Sequence, residues 1–431
     1  MNANVYFSRT PAATTRRAFL TGACAAATAS LSAGAWAQPA RLSLRRGGSL
    51  HSILNWPELE AGSKDRFAWP PFAAAKYQVN PRLLSAFRRA GLDFIRLTID
   101  PGIFMATQGA RRDELDAILL SRCRLLIDSG LNVIVDFHPI SQVSAWTPDR
   151  IITNETTQKA FFDLIGRTAN VLRALDGSKV ALEFMNEPPH GYDGATSARW
   201  QRMLVEMHRI ARAAHPDLTL VMTGAASGGI KGLMNVDARV FKDDNIYWSF
   251  HYYSPHHFTH QGVVTSQSNM LHFRYLTELP YPADAASPEL TMETVRQAIR
   301  ADASLNGLQR LQIEGAAMES IRKYFAENFG PKNIGAEFDK VVEWANRNGV
   351  KPEKILLGEF GAARRNTRGN GALNRHRQDW MRDVRMAAEQ RGFAWALWDI
   401  DDNQMGMVTQ RGSGMLDAQV LKALGLNDIT G

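Results

Sequence analysis

"ALEFMNEPPH", residues 181–190, is an apolar run that breaks off at an amide and a carboxylate. Leu182 and Phe184 belong to a near-continuous hydrophobic stretch, which is how a strand reads when a parallel sheet covers both of its faces. Pro188 and Pro189 cannot donate to a strand ladder, so the strand has to end before them. The chain therefore delivers Asn186 and Glu187 at the end of a buried strand.

The same reading extends to the rest of the chain. Short β-rich runs stand at "GGSLHSIL" (47–54), "DFIRLTI" (93–99), "NVIVDFH" (132–138), "VALEFMN" (180–186), "LTLVMTG" (218–224), "NIYWSFH" (245–251), "KILLGEF" (354–360) and "FAWALWD" (393–399). Most are separated by helical patterns such as "PRLLSAFRRAG" and "RHRQDWMRDVRMAAEQRG", several of which stop at Gly or Pro. Strands alternating with helices mean βαβ units and a parallel sheet. Eight such units predict an α/β protein of one closed (β/α)8 TIM barrel rather than an open doubly wound sheet. One connection breaks the rhythm. The segment between "SFHYY" and "KILLG" is far longer than the others and carries a helical insertion, about 262–340. At a strand's C-terminal end, so long an insertion is expected to act as a lid or wall.

Charge narrows the partners. The formal net charge is +7, but residues 1–57 hold six arginines and no acidic residue, leaving +1 for the remaining 374. No basic cluster in the body of the chain offers a nucleic-acid footprint. The N-terminus reads as an address. Arg16 and Arg17 precede an uncharged Ala-rich stretch, and "AWAQ" offers Ala35 and Ala37 as an A-x-A cleavage site. Residues 1–37 are therefore expected to be a twin-arginine signal peptide, with 38–431 the periplasmic or secreted barrel domain. No later run reaches the length of a spanning helix, so no stable membrane insertion is expected after cleavage. Cleavage would leave Cys123 as the one cysteine, a small core residue in a helical pattern.

In a (β/α)8 barrel the active site forms at the C-terminal ends of the strands. Reading those ends gives Arg96, His138, Asn186 with Glu187, His251 with Tyr253, Glu359 and Trp398. Burying so many polar groups together is costly unless they serve a site. Two carboxylates facing one substrate suit glycoside hydrolysis, one as proton donor and one attacking or activating water. An arginine beside the second favours its charged form. The amide suits a sugar 2-hydroxyl, and the indole offers an apolar face to a sugar ring.

With these residues in place the chain resembles glycoside hydrolase family 5, the retaining β-glycanases that include many cellulases and mannanases. "FMNEP" resembles the family's acid/base strand at Asn186 and Glu187, and "LLGEFG" its nucleophile strand at Glu359. "FIRL", "DFH", "FHYY" and "ALWD" match the remaining positions at Arg96, His138, His251, Tyr253 and Trp398. The insertion and a loosely matching first strand, "GGSLHSILNW", are departures. The resemblance implies Glu187 as acid/base, Glu359 as nucleophile, and a β-glycan polysaccharide or oligosaccharide as substrate. Endo-β-1,4-glucanase leads, with β-mannanase and β-1,3-glucan-active enzymes next. No cofactor and no metal is implied, and the chain is expected to act as a monomer. Trp56, Trp69 and Trp146 are candidates for lining sugar subsites, each with core packing as the plainer role.

Two other readings compete. A metallohydrolase would use the histidines of "HYYSPHHFTH" (His251, His256, His257, His260) with Asp136, but lacks an H-x-H on the first strand. An inactive carbohydrate-binding barrel should have lost a carboxylate, and both are present. The Gly-rich "TGAASGGIKG" lacks the G-K-[ST] ending of a phosphate cradle and reads as a turn.

Overall fold

The computed structural model describes residues 41–140 and 142–429; the signal-peptide reading lies outside them. Eight strands form: β1 (Arg46–Leu54), β2 (Phe94–Ile99), β3 (Asn132–Phe137), β4 (Val180–Glu183), β5 (Thr219–Thr223), β6 (Ile246–Tyr252), β7 (Ile355–Phe360) and β8 (Ala394–Leu397). They pair in sequence order, all parallel, and β8 closes onto β1. This is the expected (β/α)8 barrel. β4 is shorter than the apolar run, yet the Asn186 amide still donates to the Phe137 carbonyl at 2.8 Å, which prolongs the ladder past the strand's end.

The barrel interior has two chemically distinct levels. Near the N-terminal ends of the strands, Phe94, Ile134, Ala181, Val221, Tyr247 and Leu356 form a dry plug with Leu42 and Leu44 below them. Space there is tight: a Cβ on Gly47 would meet the Phe94 ring at 2.5 Å. Higher up the interior turns polar, with Arg96, Thr98, Asp136, Glu183, Thr223 and Ser249 all buried. Such groups must find partners within the fold. The candidate site is built on this upper level.

Outside, helices cover the barrel as their patterns require. Pro81–Ala90 starts behind Asn80, whose side chain accepts from the Arg82 amide, and stops at Gly91 with φ +98°. Leu83, Leu84, Phe87 and Ala90 are its buried stripe. After β2, Asp100 caps Pro101–Ala106 through the Gly102 amide at 2.8 Å. Burial pushes the Asp100 carboxyl up to about 7. Folding therefore takes up a proton between the ordinary carboxylate range and about 7, and stability falls as pH rises through that window. Asp100→Asn keeps the cap acceptor and removes the charge. Thermal melts should show it more stable than the parent at pH 8, on the order of 1–3 kcal/mol, and equal near pH 4.

The long connection after β6 resolves into two parts. Pro288–Arg300 and Gly307–Glu327 pack against each other and on the 3-10 segment Ser268–Tyr275. Pro331–Asn348 instead belongs to the outer ring, packed on Ile230–Met234 and Asn374–Gln390. The expected insertion thus overran into a barrel helix. Its remainder is tied to the loop after β7: Asn366 donates to the carbonyls of Gly262 and Arg274, Arg368 pairs with Asp302, and Arg365 pairs with Glu278. Excising 288–327 behind a short linker should loosen that loop, lowering turnover of polymer more than of small aryl glycosides. Equal loss on both would mean the helices only support the fold.

Candidate active site

Arg96 is the hub. It sits in the middle of β2, below the strand's end, and its side chain is fully buried. Its Nε and Nη2 donate to the two oxygens of Glu183 at 2.7 and 3.1 Å. Nη1 donates to Glu359 at 2.6 Å, while Nη2 also reaches Asn186 Oδ1 at 2.8 Å and Asp136 at 3.0 Å. Burial alone would lower the guanidinium pKa, but Asp136, Glu183 and Glu359 outweigh it and raise it well above the usual value. Burial pushes Asp136 up to about 7 despite the neighbouring Arg96. One cation thus organises three acidic side chains and an amide.

His138 and Asn186 are fixed through the same hub. His138 Nδ1 lies 3.0 Å from Asp136 Oδ2, and Asn186 Nδ2 lies 3.2 Å from His138 Nε2. Burial lowers the His138 pKa to about 4, so the ring is neutral at ordinary pH. The arrangement then requires Nδ1–H to donate to Asp136 and Nε2 to accept from Asn186. Asn186 has spent its oxygen on Arg96 and one N–H on His138. One N–H remains for a ligand.

The two glutamates meet above this network. β6 and β7 place His251 opposite Glu359. Tyr253 Oη donates to Glu359 Oε2 at 2.9 Å. His251 Nδ1 lies 3.0 Å from Glu187 Oε1 and 3.5 Å from Glu359 Oε2. Burial lowers the His251 pKa to about 4, leaving a neutral ring with Nδ1–H aimed between the two carboxylates. One oxygen of Glu187 and one of Glu359 lie within 4.8 Å of each other. Glu187 adopts φ +39°, an unfavourable backbone region for a residue with a Cβ, and strain of that kind gathers at functional sites. Burial raises its pKa above the ordinary range, against the lowering effect of His138 and Arg96.

A cavity of about 870 Å³ opens over these groups. Every site residue read from the sequence lines it except Arg96, which lies beneath. Its wall continues over Ser227, Lys231 and Met234 to Glu337 and Lys340 of the outer-ring helix. Of the insertion stretch, only Val263, Glu337 and Lys340 reach it, so the two paired helices buttress the cleft rather than wall it. The Gly-rich segment after β5 is a turn, with Ala226, Ser227 and Gly228 all at positive φ and a Cβ on Gly232 meeting the Ala225 carbonyl at 1.6 Å. That turn presents the Gly228 carbonyl to the His251 amide at 2.8 Å. Trp56, Trp69 and Trp146 do not line the cavity; Trp69 and Trp146 pack against the core, while Trp56 is 54% exposed.

Sequence reasoning missed Glu183, which reads as one more residue of a strand, and the pair of His51 with Asp399 beside Trp398. An acid inside a run as apolar as "VALEFM" was the available signal. Of the residues weighed for a metal, only His251 joins Glu187 and Glu359 in a group close enough to share a cation, among the described residues. Arg96 and Tyr253 already donate to the Glu359 carboxylate. A metal there would sit against a guanidinium. The arrangement suits proton transfer and nucleophilic attack.

A family model described as Cellulase (glycosyl hydrolase family 5) matches residues 62–404. Endoglucanase C of Acetivibrio thermocellus is 25% identical over 198 residues, taking in 44% of this chain and 55% of that protein. The chain thus spans about half the length of that curated relative. Among solved structures, cellulose synthase subunit Z of Clostridioides difficile aligns with a TM-score of 0.62 at 22% identity, over 88% of this chain and 99% of that one. Thermotoga maritima Cel5A in complex with cellobiose gives 0.60 at 19%, over 88% and 97%. These structural likenesses bear on the fold.

Proposed function

The chain belongs to glycosyl hydrolase family 5, and we propose that it is a retaining hydrolase of β-linked glucan, an endo-β-1,4-glucanase, with Glu187 as acid/base and Glu359 as nucleophile. The observation that carries this reading is the approach of the two carboxylates to within 4.8 Å, oxygen to oxygen. A retaining mechanism needs carboxyl groups about 5–5.5 Å apart, whereas inversion needs room for a water between them. Arg96 and Tyr253 hold Glu359 for attack on the anomeric carbon. As the bond to the leaving oxygen breaks, the Glu187 proton passes to that oxygen. Glu187 then takes a proton from the water that releases the glycosyl ester. The spare N–H of Asn186 is free for the sugar 2-hydroxyl, and Trp398 offers the floor. Curated relatives named endoglucanase support glucan as the leading substrate. The Arg16–Arg17 pair ahead of an uncharged Ala-rich stretch supports periplasmic or secreted action. Proton NMR of the first products from a panel of pure β-glucans and mannans tests the reading: early β-anomer from β-1,4-glucan is expected, and early α-anomer would overturn it.

The acid role carries a pH signature. Glu187 donates only while protonated, and its raised pKa extends that form upward in pH. Activity on substrates with poor leaving groups should therefore fall on an alkaline limb above the ordinary glutamate range. Glu187→Gln, assayed on an activated aryl glycoside, should lose that limb.

A further inference from the structure

The Trp398 ring is gripped by a pair that the proposed reaction does not itself use. His51 stacks on it with ring centroids 5.1 Å apart and planes at 27°. His138 stacks on it at 5.2 Å and 11°. His51 Nδ1 is in turn paired with Asp399, the residue directly after Trp398. Strand register explains the meeting. β1 pairs with β8 at Gly48 and Leu397, and the Ile400 amide prolongs the ladder to the Ser49 carbonyl at 2.9 Å. His51 and Asp399 are thereby brought across from each other at the barrel mouth. The Asp399 side chain is 2% exposed, and its Oδ1 is buried without a hydrogen-bond partner. A buried carboxylate with one satisfied oxygen is expensive to keep unless its single partner matters.

We propose that His51 and Asp399 are a positioning pair that, together with the stacked His138, fixes the orientation of the Trp398 indole and so sets the sugar-binding floor of the cleft. This rests on the glycoside hydrolase reading, in which Trp398 meets the sugar ring. The contact engages both residues of one dipeptide: the Asp399 carboxylate fixes the imidazole, and the imidazole fixes the neighbouring indole.

The clamp is also tuned by protonation. The charged groups facing His51 are Asp399, Asp401, Asp402 and Arg411 from the segment after β8, and His138 just after β3. On β2, Arg96 is the register partner of Ser49, two residues before His51, and is paired with its own carboxylates. Burial works against a charged His51 ring, but Asp399 outweighs it, and the pKa ends up raised. The charged, clamped form therefore holds below that raised value and is lost as pH rises through it. His138 titrates near 4, well apart from it.

The test needs no substrate for its first half. A protonated imidazole quenches excited indole by accepting an electron, and a neutral one does so weakly. The Trp398 share of tryptophan emission, taken as the difference between the parent and Trp398→Phe, should rise in a step as His51 deprotonates. His51→Gln should abolish that step. On cellotetraose, His51→Gln should raise KM roughly five- to tenfold, the size expected for one lost ring contact, with kcat little changed. His51→Phe keeps a flat ring and should recover part of the KM while showing no emission step. An emission step that survives in His51→Gln, or parent-like KM and kcat in that variant, overturns the proposal. Should no β-glycan be cleaved at all, the function is refuted, while the emission titration still decides whether His51 holds the indole.

Discussion

Replacing Glu359 with Ala should lower turnover of any β-glucan by about 10⁴-fold or more, because no covalent intermediate can then form. Glu187→Ala should behave differently. It leaves the nucleophile and its donors Arg96 and Tyr253 in place. An activated aryl glycoside, whose leaving group needs no proton, should still form the intermediate, while unactivated glucan loses about 10²–10⁴-fold. Azide needs no general base, so it should speed Glu187→Ala and yield the β-glycosyl azide. In Glu359→Ala, azide entering the vacated space from below the ring should yield the α-product. Product configuration, read by NMR, checks both roles; the reverse pattern would exchange them.

Arg96→Met should be the most damaging change to stability. Three acidic side chains, Asp136, Glu183 and Glu359, point at one guanidinium, and the Asp136 and Glu183 side chains are fully buried. Removing the cation leaves buried charge unpaired, which costs about 3–5 kcal/mol. That is a large part of the stability of an ordinary domain. Glu183→Gln removes one charge but keeps an acceptor for Arg96, so it should melt well above Arg96→Met. Denaturant unfolding of both variants measures the difference. An Arg96→Met protein as stable as its parent would mean that the hub is not a folding element.

The order of strands was legible because a parallel sheet buries both faces of each strand. Runs such as "NVIVDFH" and "KILLGEF" therefore stand out against helices that alternate every three or four residues. The mouth residues were legible for a related reason, since polar groups ending apolar runs are costly without a role. The pattern "FIRL" suggests a strand that ends near Arg96, whereas Arg96 lies mid-strand and reaches upward on a long side chain. Glu183 was silent because its partner is 87 positions away and nothing local marks the pairing. The grip of His51 and Asp399 depends on β8 closing onto β1, a contact between the two ends of the barrel that no local pattern encodes. The insertion boundary was blurred because Pro331–Asn348 is amphipathic like its neighbours, and only packing assigns it to the outer ring.

As the nucleophile, Glu359 should form a covalent glycosyl ester. Incubation with a dinitrophenyl 2-deoxy-2-fluoro-β-cellobioside slows release of the ester more than its formation, so the intermediate should accumulate. Mass spectrometry of the digested protein should then find one fluorocellobiosyl group on the peptide that carries Glu359. A label on the peptide of Glu187, or none while β-1,4-glucan is cleaved with inversion, would exclude Glu359 as the nucleophile.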